Sequence, residues 1–388
     1  MNAQGGLSFE TVWTLGERGS GVFDLQDDGL RARVAGIVDA INAQGPFRPD
    51  QVESIQRQAV SLLANRLRVA GDRARFPGIA EEKIERPVFI IGFARSGTTL
   101  LHSLLAEDPE VLSPQSWHMF SPSPPPGAGP VAKGRIDHAH RRMQAWMDFA
   151  PAHPPMHPYV DKGAFQPIED EEVFTLDFRN MYPFHWYRVP SAKINVILAE
   201  GQAEAFRFHK QLLQHLQWNT GKTRWACKGP SGQHHLDAIF EVYPDALCIW
   251  PHRPIGDIYH SNVALRAATY DAMTGTPNDW VSQSTMIAEG MKAAYDRLLA
   301  SDLIDDPRVM HVRFQDVSAD PIGVVRQIYE RQGLAVSDAF AGRMRVWLDD
   351  PENRVDRYGR RTYSYEQFGL DRKWIEDLFA DYSTRFGL

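Results

Sequence analysis

Cysteine is scarce in this chain, with only two thiols, Cys227 and Cys248, among 388 residues. Both lie in apolar segments, so the sequence predicts buried structural thiols in a reducing compartment rather than a disulfide framework. Basic charge is not in excess either, because 42 Lys and Arg stand against 49 Asp and Glu, a net charge of −7. This balance argues against nucleic acid or an anionic membrane as the main partner.

Long apolar runs are also missing. No segment approaches the roughly 20 residues that a transmembrane helix needs. The first residues, Met-Asn-Ala-Gln-Gly-Gly-Leu, lack the basic and apolar regions of a signal peptide. The chain can still build a substantial core, since 43% of its residues are hydrophobic. Its length fits one large α/β domain, or such a domain with a helical extension.

One segment has the pattern of an anion-binding loop. A short apolar run from Val88 to Ile91 ends at Gly92, and a tight loop leads into leucines at helical spacing, beginning at Leu100. In a strand–loop–helix arrangement, free backbone N–H groups and the helix dipole both point at the loop. Gly92 and Gly97 have the spacing of a P-loop, which predicts a site for a phosphate-like group.

The lysine of a P-loop kinase is absent from this segment. Thr98 holds its position, and Arg95 supplies the positive charge from inside the loop. The second apolar strand, 246–250, leads to His252 and Arg253 where a magnesium-binding Asp is expected. Two arginines without a carboxylate suit a ligand that bears several anionic groups and needs no metal. A sulfuryl group, which carries less charge than a phosphoryl group, fits such a site.

Three motifs together resemble those of the sulfotransferases that use 3′-phosphoadenylyl sulfate (PAPS), in particular the bacterial-type members. They are the 5′-phosphosulfate loop Gly92-Phe-Ala-Arg95-Ser96-Gly97-Thr98-Thr99, the 3′-phosphate motif His252-Arg253-Pro254 through Ser261, and Trp225-Ala-Cys-Lys228-Gly-Pro230. The resemblance runs from about residue 86 to the C-terminus. It implies PAPS as donor, PAP as product, no metal, and a P-loop NTPase-like sulfotransferase fold. It also implies these donor-binding residues: Arg95, Ser96, Gly97, Thr98, Thr99, Arg253 and Ser261.

The 3′-phosphate motif also makes physical sense on its own. An Arg leaving a strand and a Ser one or two turns into the next helix can converge on one tetrahedral anion, through a guanidinium fork and a hydroxyl. A 3′-phosphate separates PAPS from ATP, so Arg253 and Ser261 would discriminate between them. The alternative is that Arg253 pairs with a carboxylate and Ser261 is an ordinary helix residue.

The acceptor must lose a proton as it attacks sulfur, so a general base is needed within hydrogen-bond reach. Two histidines are candidates. His118 lies shortly after the helix that follows the phosphate loop, where bacterial-type relatives carry Glu after a Trp. His235 follows Lys228 at a longer spacing than the corresponding histidine of cytosolic members. We favour His118 slightly, and ordinary structural roles remain open for both. Lys228 would stabilise negative charge on the oxygen that bridges sulfur and phosphorus in PAPS. Glu171, in an acidic run expected to begin a helix, is a further alternative for the base.

Alternating apolar strands and helices predict an α/β fold with a parallel sheet flanked by helices. We expect an N-terminal helical extension over 1–85 and a sulfotransferase domain over 86–388, with a loop-rich, aromatic acceptor-binding excursion at about 113–190. The extension is either a cap over the acceptor or a dimer element. Its second helix ends in four arginines expected to be solvated, Arg66, Arg68, Arg73 and Arg75, and near the C-terminus Arg360 and Arg361 either close over the phosphates or form a solvated turn.

The sequence therefore predicts a sulfotransferase that moves a sulfuryl group from PAPS to a hydroxyl or amine of a small, lipophilic or aromatic acceptor. Golgi members of the family are anchored by an apolar helix, and its absence here predicts a cytoplasmic enzyme. Two alternatives stay open, a P-loop nucleotide kinase and a non-catalytic protein that binds PAP. The missing lysine and the missing second-strand Asp argue against the kinase.

Overall fold

A computed structural model describes residues 6–43, 45–157, 160–179, 202–274, 279–359 and 363–388. The chain divides into two compact units, each built from separate stretches. The first comprises Met1–Ile84, Pro114–Asp148 and Lys162–Thr223, and the second Glu85–Ser113, Phe149–Asp161 and Arg224–Leu388. The division into domains made from the sequence stays a prediction. Among the described helices, none combines the length and the apolar character needed to cross a bilayer.

The first unit is helical. Its helices are α1 (Phe9–Ser20), α2 (Asp28–Asn42), α3 (Pro49–Arg75), α5 (Ser116–Phe120), α6 (Lys133–Phe149), α7 (Asp170–Leu176) and α8 (Gln202–Gln217). The helices expected in the N-terminal extension include α2 and α3, whose apolar stripes are buried, from Val34 to Ile41 and from Val52 to Leu67. The apolar spacing of the sequence does not indicate α1, because this helix buries few apolar side chains. Gly16 allows α1 to approach α3 closely. A Cβ at Gly16 would lie 2.6 Å from Leu63 Cδ2.

The expectation of a loop-rich excursion was incomplete, because the 17-residue helix α6 occupies part of it. Prolines are dense on both sides of α6 but absent from residues 131–150. Within that gap Ala139, Met143 and Trp146 recur at helical spacing and are buried. The acidic run opens α7 as predicted, with Glu169 at the N-cap.

A buried ion cluster lies inside the first unit. Asp177, 1% exposed, accepts from Arg66 Nε at 2.6 Å, Arg33 Nη2 at 2.9 Å and Arg179 Nε at 2.8 Å. Arg66 also contacts Asp27 Oδ2 at 3.2 Å. The expectation that Arg66 is solvated was therefore wrong, because α3 continues into a packed region that holds this carboxylate. Burial lowers the pKa of Arg33, and Asp177 opposes that shift.

The second unit contains the sheet. Its strands are β1 (Val88–Ile91), β2 (Val111–Leu112), β3 (Arg224–Gly229), β4 (Leu247–His252) and β5 (Val309–Arg313), in the order β2-β3-β1-β4-β5. All neighbouring pairs are parallel, as predicted. Both cysteines are buried in strands, Cys227 in β3 and Cys248 in β4, which confirms that these thiols are buried.

Helices connect and follow these strands. They are α4 (Thr98–Leu105), α9 (Leu236–Val242), α10 (Ile255–Thr274), α11 (Trp280–Leu299), α12 (Phe314–Ala319), α13 (Pro321–Arg331), α14 (Asp338–Asp349), α15 (Arg372–Leu378) and α16 (Ala380–Phe386). Side chains of β1, β4 and β5 form one buried cluster with α4 and α13, including Ile90, Ile249, Leu101 and Ile328. A core on this scale fixes the strand ends, where the loops emerge.

Candidate active site

Three adjacent strands carry the predicted donor-binding residues to one edge of the sheet. Strand β1 lies between β3 and β4, with Ile90 in register with Lys228 of β3 and Ile249 of β4. Because the strands are parallel, their carboxyl ends meet at the same edge, which is where α/β sheets bind ligands. The loop after β1, Lys228 near the end of β3, and Arg253 directly after β4 all lie there.

The loop after β1 has a backbone that few residues can adopt. Gly92, Arg95 and Gly97 have positive φ values of 107°, 75° and 91°. A Cβ at Gly92 would lie 2.6 Å from Trp250 Cδ1, so only glycine fits there. The left-handed conformation is unusual for Arg95, and such strain is typical of ligand-binding loops. Ser96 is buried, and its Oγ donates to Phe93 O at 2.6 Å, which closes the turn.

This loop feeds directly into the N-terminus of α4. Gly97 is its N-cap, and no side chain in the described part of the chain caps the helix, so the first-turn N–H groups remain directed at the loop. Nearby, Trp250 Nε1 is buried with no acceptor among the residues that the structure describes. An uncapped helix end and an unmatched indole N–H beside a glycine cradle fit a bound anionic group.

Three cations surround the loop, and each is held by a neighbour. Lys228 is 3% exposed and donates from Nζ to Thr99 Oγ1 at 3.3 Å. Arg253 donates from Nη1 to Arg95 O at 3.1 Å. Arg95 donates from Nη1 to Met156 O at 2.8 Å. The structure thus brings Arg95, Arg253, Lys228 and the Thr98–Thr99 helix start together at one strand edge.

The second motif continues into α10. Arg253 lies just before this helix, with its guanidinium 4.4 Å from the centre of the Phe314 ring. Burial lowers the pKa of Arg253, and Asp257 opposes that shift. Ser261 lies on α10, partly exposed, eight residues after Arg253. Its role in binding a 3′-phosphate stays a prediction.

His118 lies in the first unit, on the short helix α5, and is buried. Its Nδ1 accepts from the backbone N–H of Gln115 at 3.0 Å, as the reciprocal half of a capping box. In a neutral ring this bond assigns the proton to Nε2. Burial, with Arg135 and His215 adding to it, lowers the pKa of His118 to about 3. Its accepting nitrogen is therefore occupied by the backbone.

His235 immediately precedes α9 in the second unit and is partly exposed. Burial lowers its pKa, and Asp237 opposes the shift. Glu171, the alternative base, is buried on α7 in the first unit. For each of these groups, and for His118, the role of base stays a prediction.

The aromatic residues expected around the acceptor fall into three sets. Trp117, Phe120, Trp146, Phe174 and Phe178 are buried within the first unit, consistent with core packing. Phe149 is partly exposed, and Phe165 is 55% exposed. Tyr159, Tyr182, Phe184, Trp186 and Tyr187 lie outside the described residues, as do Arg360 and Arg361.

Comparison with known proteins decides the family. A model described as "Sulfotransferase family" matches residues 87–338, which span the loop, Lys228 and the 3′-phosphate motif. The chain belongs to the sulfotransferase family. Among curated proteins, this sulfotransferase is similar to the omega-hydroxy-beta-dihydromenaquinone-9 sulfotransferases Stf3 of Mycobacterium bovis and Mycobacterium tuberculosis. Each is 25% identical over 335 residues, covering 80% of this chain and 77% of the relative.

Solved structures give the same family and fold. Sulfotransferase STF9 from Mycobacterium avium is 25% identical with a TM-score of 0.78, covering 97% of this chain and 96% of that one. Sulfotransferase STF1 from Mycobacterium tuberculosis, 22% identical, has a TM-score of 0.73 and covers 97% and 99%, which shows the shared fold. The predicted sulfotransferase fold, a parallel α/β sheet flanked by helices, is confirmed.

The sequence did not predict three residues that this sulfotransferase places near the phosphate loop and Arg253. Gln233 accepts from the Gly92 N–H through Oε1 at 2.9 Å, and Phe314 lies under Arg253. His157 follows Met156, whose carbonyl binds Arg95. No local pattern marks Gln233. Phe314 directly follows β5, and His157 lies in a run that contains a second histidine four residues earlier, so both had a weak signal.

Proposed function

We propose that this sulfotransferase transfers a sulfuryl group from PAPS to a hydroxyl or amine of a small, lipophilic or aromatic acceptor. One observation carries the proposal. The strained glycine loop after β1, Lys228 of β3 and Arg253 after β4 all lie at the carboxyl-terminal edge of the sheet. Such an edge concentrates donors and positive charge where a multiply anionic nucleotide would bind.

In this proposal, the loop and the cations bind different anionic groups of the donor. The N–H groups from Ser96 to Thr99 and the α4 dipole would hold the 5′-phosphosulfate, with Arg95 beside them. Arg253 and Ser261 would hold the 3′-phosphate. When bound, PAPS supplies an activated sulfuryl group on a phosphate leaving group.

Lys228 is the cation best placed to stabilise charge at the leaving group. It is buried near the end of β3, and its bond to Thr99 fixes the ammonium beside the first turn of α4. A buried and oriented cation stabilises developing negative charge more strongly than a solvated one. We therefore assign Lys228 to the bridging oxygen between phosphorus and sulfur.

The acceptor is proposed to be a lipophilic alcohol. The Stf3 relatives act, by name, on a hydroxylated dihydromenaquinone, which combines an apolar body with a hydroxyl group. The segment 113–190 of this chain is rich in aromatic residues, as apolar ligand sites are. Both observations support an acceptor of the same chemical kind.

Two experiments test the proposal directly. Isothermal titration should show that PAP binds, and ³⁵S-labelled PAPS should label probe acceptors such as 2-naphthol or geranylgeraniol. Binding of PAP without transfer to a broad acceptor panel would favour the non-catalytic alternative. Absence of PAP binding would overturn the donor site itself.

Arg253→Ala should weaken PAP binding far more than AMP binding. Loss of a charge-assisted fork contact costs about 2 kcal/mol, or roughly 30-fold in Kd. The variant also removes the bond to Arg95 O, which affects both nucleotides equally. The ratio of the two Kd values, measured by titration calorimetry, is therefore the informative quantity. Arg253→Lys, which keeps the charge but loses the fork, should fall between; equal losses for PAP and AMP contradict the assignment.

EDTA should leave the rate of sulfuryl transfer unchanged within about twofold. In P-loop kinases Mg²⁺ is held by a second-strand Asp, whereas here β4 ends at His252 and Arg253 follows. Side-chain cations and backbone N–H groups would take over the charge stabilisation. The check is the initial rate with labelled PAPS before and after chelation, with added Mg²⁺ as the control. An absolute requirement for Mg²⁺ would support the kinase-like alternative.

A further inference from the structure

His157 lies in a turn that is tied to the phosphate loop within the second unit. Its backbone N–H donates to His153 O at 2.9 Å, which closes the turn. The preceding carbonyl, Met156 O, accepts from Arg95 Nη1 at 2.8 Å. The imidazole of His157 is therefore anchored one residue from a direct contact with the loop arginine.

The charges around His157 are those of the donor site. Burial, with Lys228 and Arg95 acting in the same direction, lowers its pKa to about 3. The ring of His153 stacks on it, with centroids 5.6 Å apart and planes at 7°. At physiological pH His157 is therefore neutral, and a neutral imidazole has one nitrogen that can accept a proton.

The Nδ1 atom of His157 is buried, and no hydrogen-bond partner for it lies among the residues that the structure describes. A buried nitrogen without a partner is costly, and such atoms in native structures call for a functional explanation. His118 differs in this respect, because its Nδ1 already accepts from Gln115. In the tautomer protonated at Nε2, His157 Nδ1 offers an unused lone pair, and the ring lies within the electrostatic influence of Lys228 and Arg95.

We propose that His157 is the general base of the transfer, an assignment that rests on the proposed function and completes it. The proton of the acceptor hydroxyl passes to Nδ1 as its oxygen forms a bond to sulfur. The bond between sulfur and the bridging oxygen breaks, and its electron pair leaves with the phosphate of PAP. No further reactant is needed.

The two cations make this base responsive to the donor. Burial holds the pKa of His157 low in the free enzyme, and Lys228 and Arg95 act in the same direction. An anionic nucleotide pairs with both and adds negative charge, so its binding raises the pKa of the imidazole. The histidine becomes a better proton acceptor when the donor is in place, because base strength improves as the pKa approaches the ambient pH.

The first test compares histidine variants in single-turnover transfer from ³⁵S-labelled PAPS to 2-naphthol or geranylgeraniol. His157→Asn, which keeps an acceptor near the Nδ1 position but cannot take a proton, should lower the transfer rate by roughly 10²–10⁴-fold. Its Kd for PAP should stay within about twofold of the parent value. His157→Gln provides a second variant, and His153→Asn, which removes the stacked ring, should cost less than about tenfold.

His118→Asn separates the two assignments, because its side-chain oxygen can still accept from Gln115. A rate loss in His118→Asn with a normal rate in His157→Asn would overturn our proposal and favour His118. The same holds for His235→Asn. Unchanged PAP binding in these variants would show that their donor site is intact. Failure of the parent enzyme to bind PAP would overturn the proposed function as well.

The second test needs no acceptor. In ¹³C-histidine-labelled enzyme, the Cε1–H resonance that disappears in His157→Asn identifies His157. It should not titrate above about pH 5 in the free enzyme, and saturation with PAP should shift its titration to higher pH. A resonance that titrates normally without PAP, or whose titration PAP leaves unchanged, would overturn the proposal.

Discussion

Replacing Asp177 with asparagine is expected to lower the free energy of unfolding by about 3–5 kcal/mol. The carboxylate is 1% exposed and accepts hydrogen bonds from Arg33, Arg66 and Arg179. With a neutral amide in its place, three guanidinium groups would face one another. Among the described residues, Arg66 would keep only Asp27 as a carboxylate partner. Loss of one partner is costly when the charges left behind remain buried.

The measurement is urea unfolding of both proteins, and Asp27→Asn is the matched control. Asp27 is more exposed, contacts Arg66 alone in the cluster, and caps α2 by accepting from Leu30 N at 2.8 Å. Asparagine is as good an N-cap as aspartate, so this variant should lose less than about 1 kcal/mol. Similar losses in the two variants would show that the cluster does not depend on Asp177.

Acidification from pH 7 to pH 5 is expected to lower the free energy of unfolding by about 5 kcal/mol or more. Burial lowers the pKa of His102 and His118 to about 3, of His215 to about 4 and of His252 to about 2. The side chains of all four are buried, and each has a hydrogen-bond partner that the neutral ring satisfies.

The direction follows from proton binding. Below pH 6.5 the unfolded chain takes up protons at these histidines, whereas the folded protein does not until a much lower pH. Unfolding is therefore favoured as the pH falls from 6.5 toward the lowered values, and the stability is fully present above 6.5. One such histidine contributes about 2 kcal/mol between pH 7 and pH 5, so four of them approach the whole stability of a typical domain.

Urea midpoints at pH 7, 6 and 5 measure the loss, and titration of the unfolding reaction measures the protons taken up. His102→Gln is a useful comparison, since its amide can replace Nε2 toward Ser113 Oγ, which lies at 2.7 Å. It should reduce proton uptake by about one. A stability that stays constant down to pH 5.5 would show that these histidines are accessible to protons in the folded state.

The phosphate loop and the position of Arg253 at the carboxyl-terminal edge of the sheet could be predicted, because local sequence patterns mark them. An apolar run, glycines at P-loop spacing and leucines at helical spacing identify β1, its loop and α4. The end of β4 and the start of α10 follow from the same kind of pattern around Arg253. Parallel pairing then places both motifs at one edge, whatever the details of packing.

The roles of single polar side chains could not be predicted in this way. The contact between Gln115 N and His118 Nδ1 depends on an exact turn geometry, and the partners of Asp177 come from α2, α3 and a neighbour two residues away. His157 gains its surroundings from β3 and from the loop after β1, which are far away in sequence. Tertiary contacts of this kind leave no periodic signal in the chain.

The position of β1 in the sheet has a consequence for synthesis on the ribosome. Its two partners, β3 and β4, begin at Arg224 and Leu247, more than 130 residues after β1 begins at Val88. The phosphate loop is translated early, yet the strands that hold it are made much later, and pairing over such a separation is slow. Nascent chains that stop before Arg224 should therefore expose an unpaired apolar strand, and chains that stop before Arg253 should bind no PAP. The interval between the translation of β1 and the translation of β4 is when this enzyme most needs a chaperone.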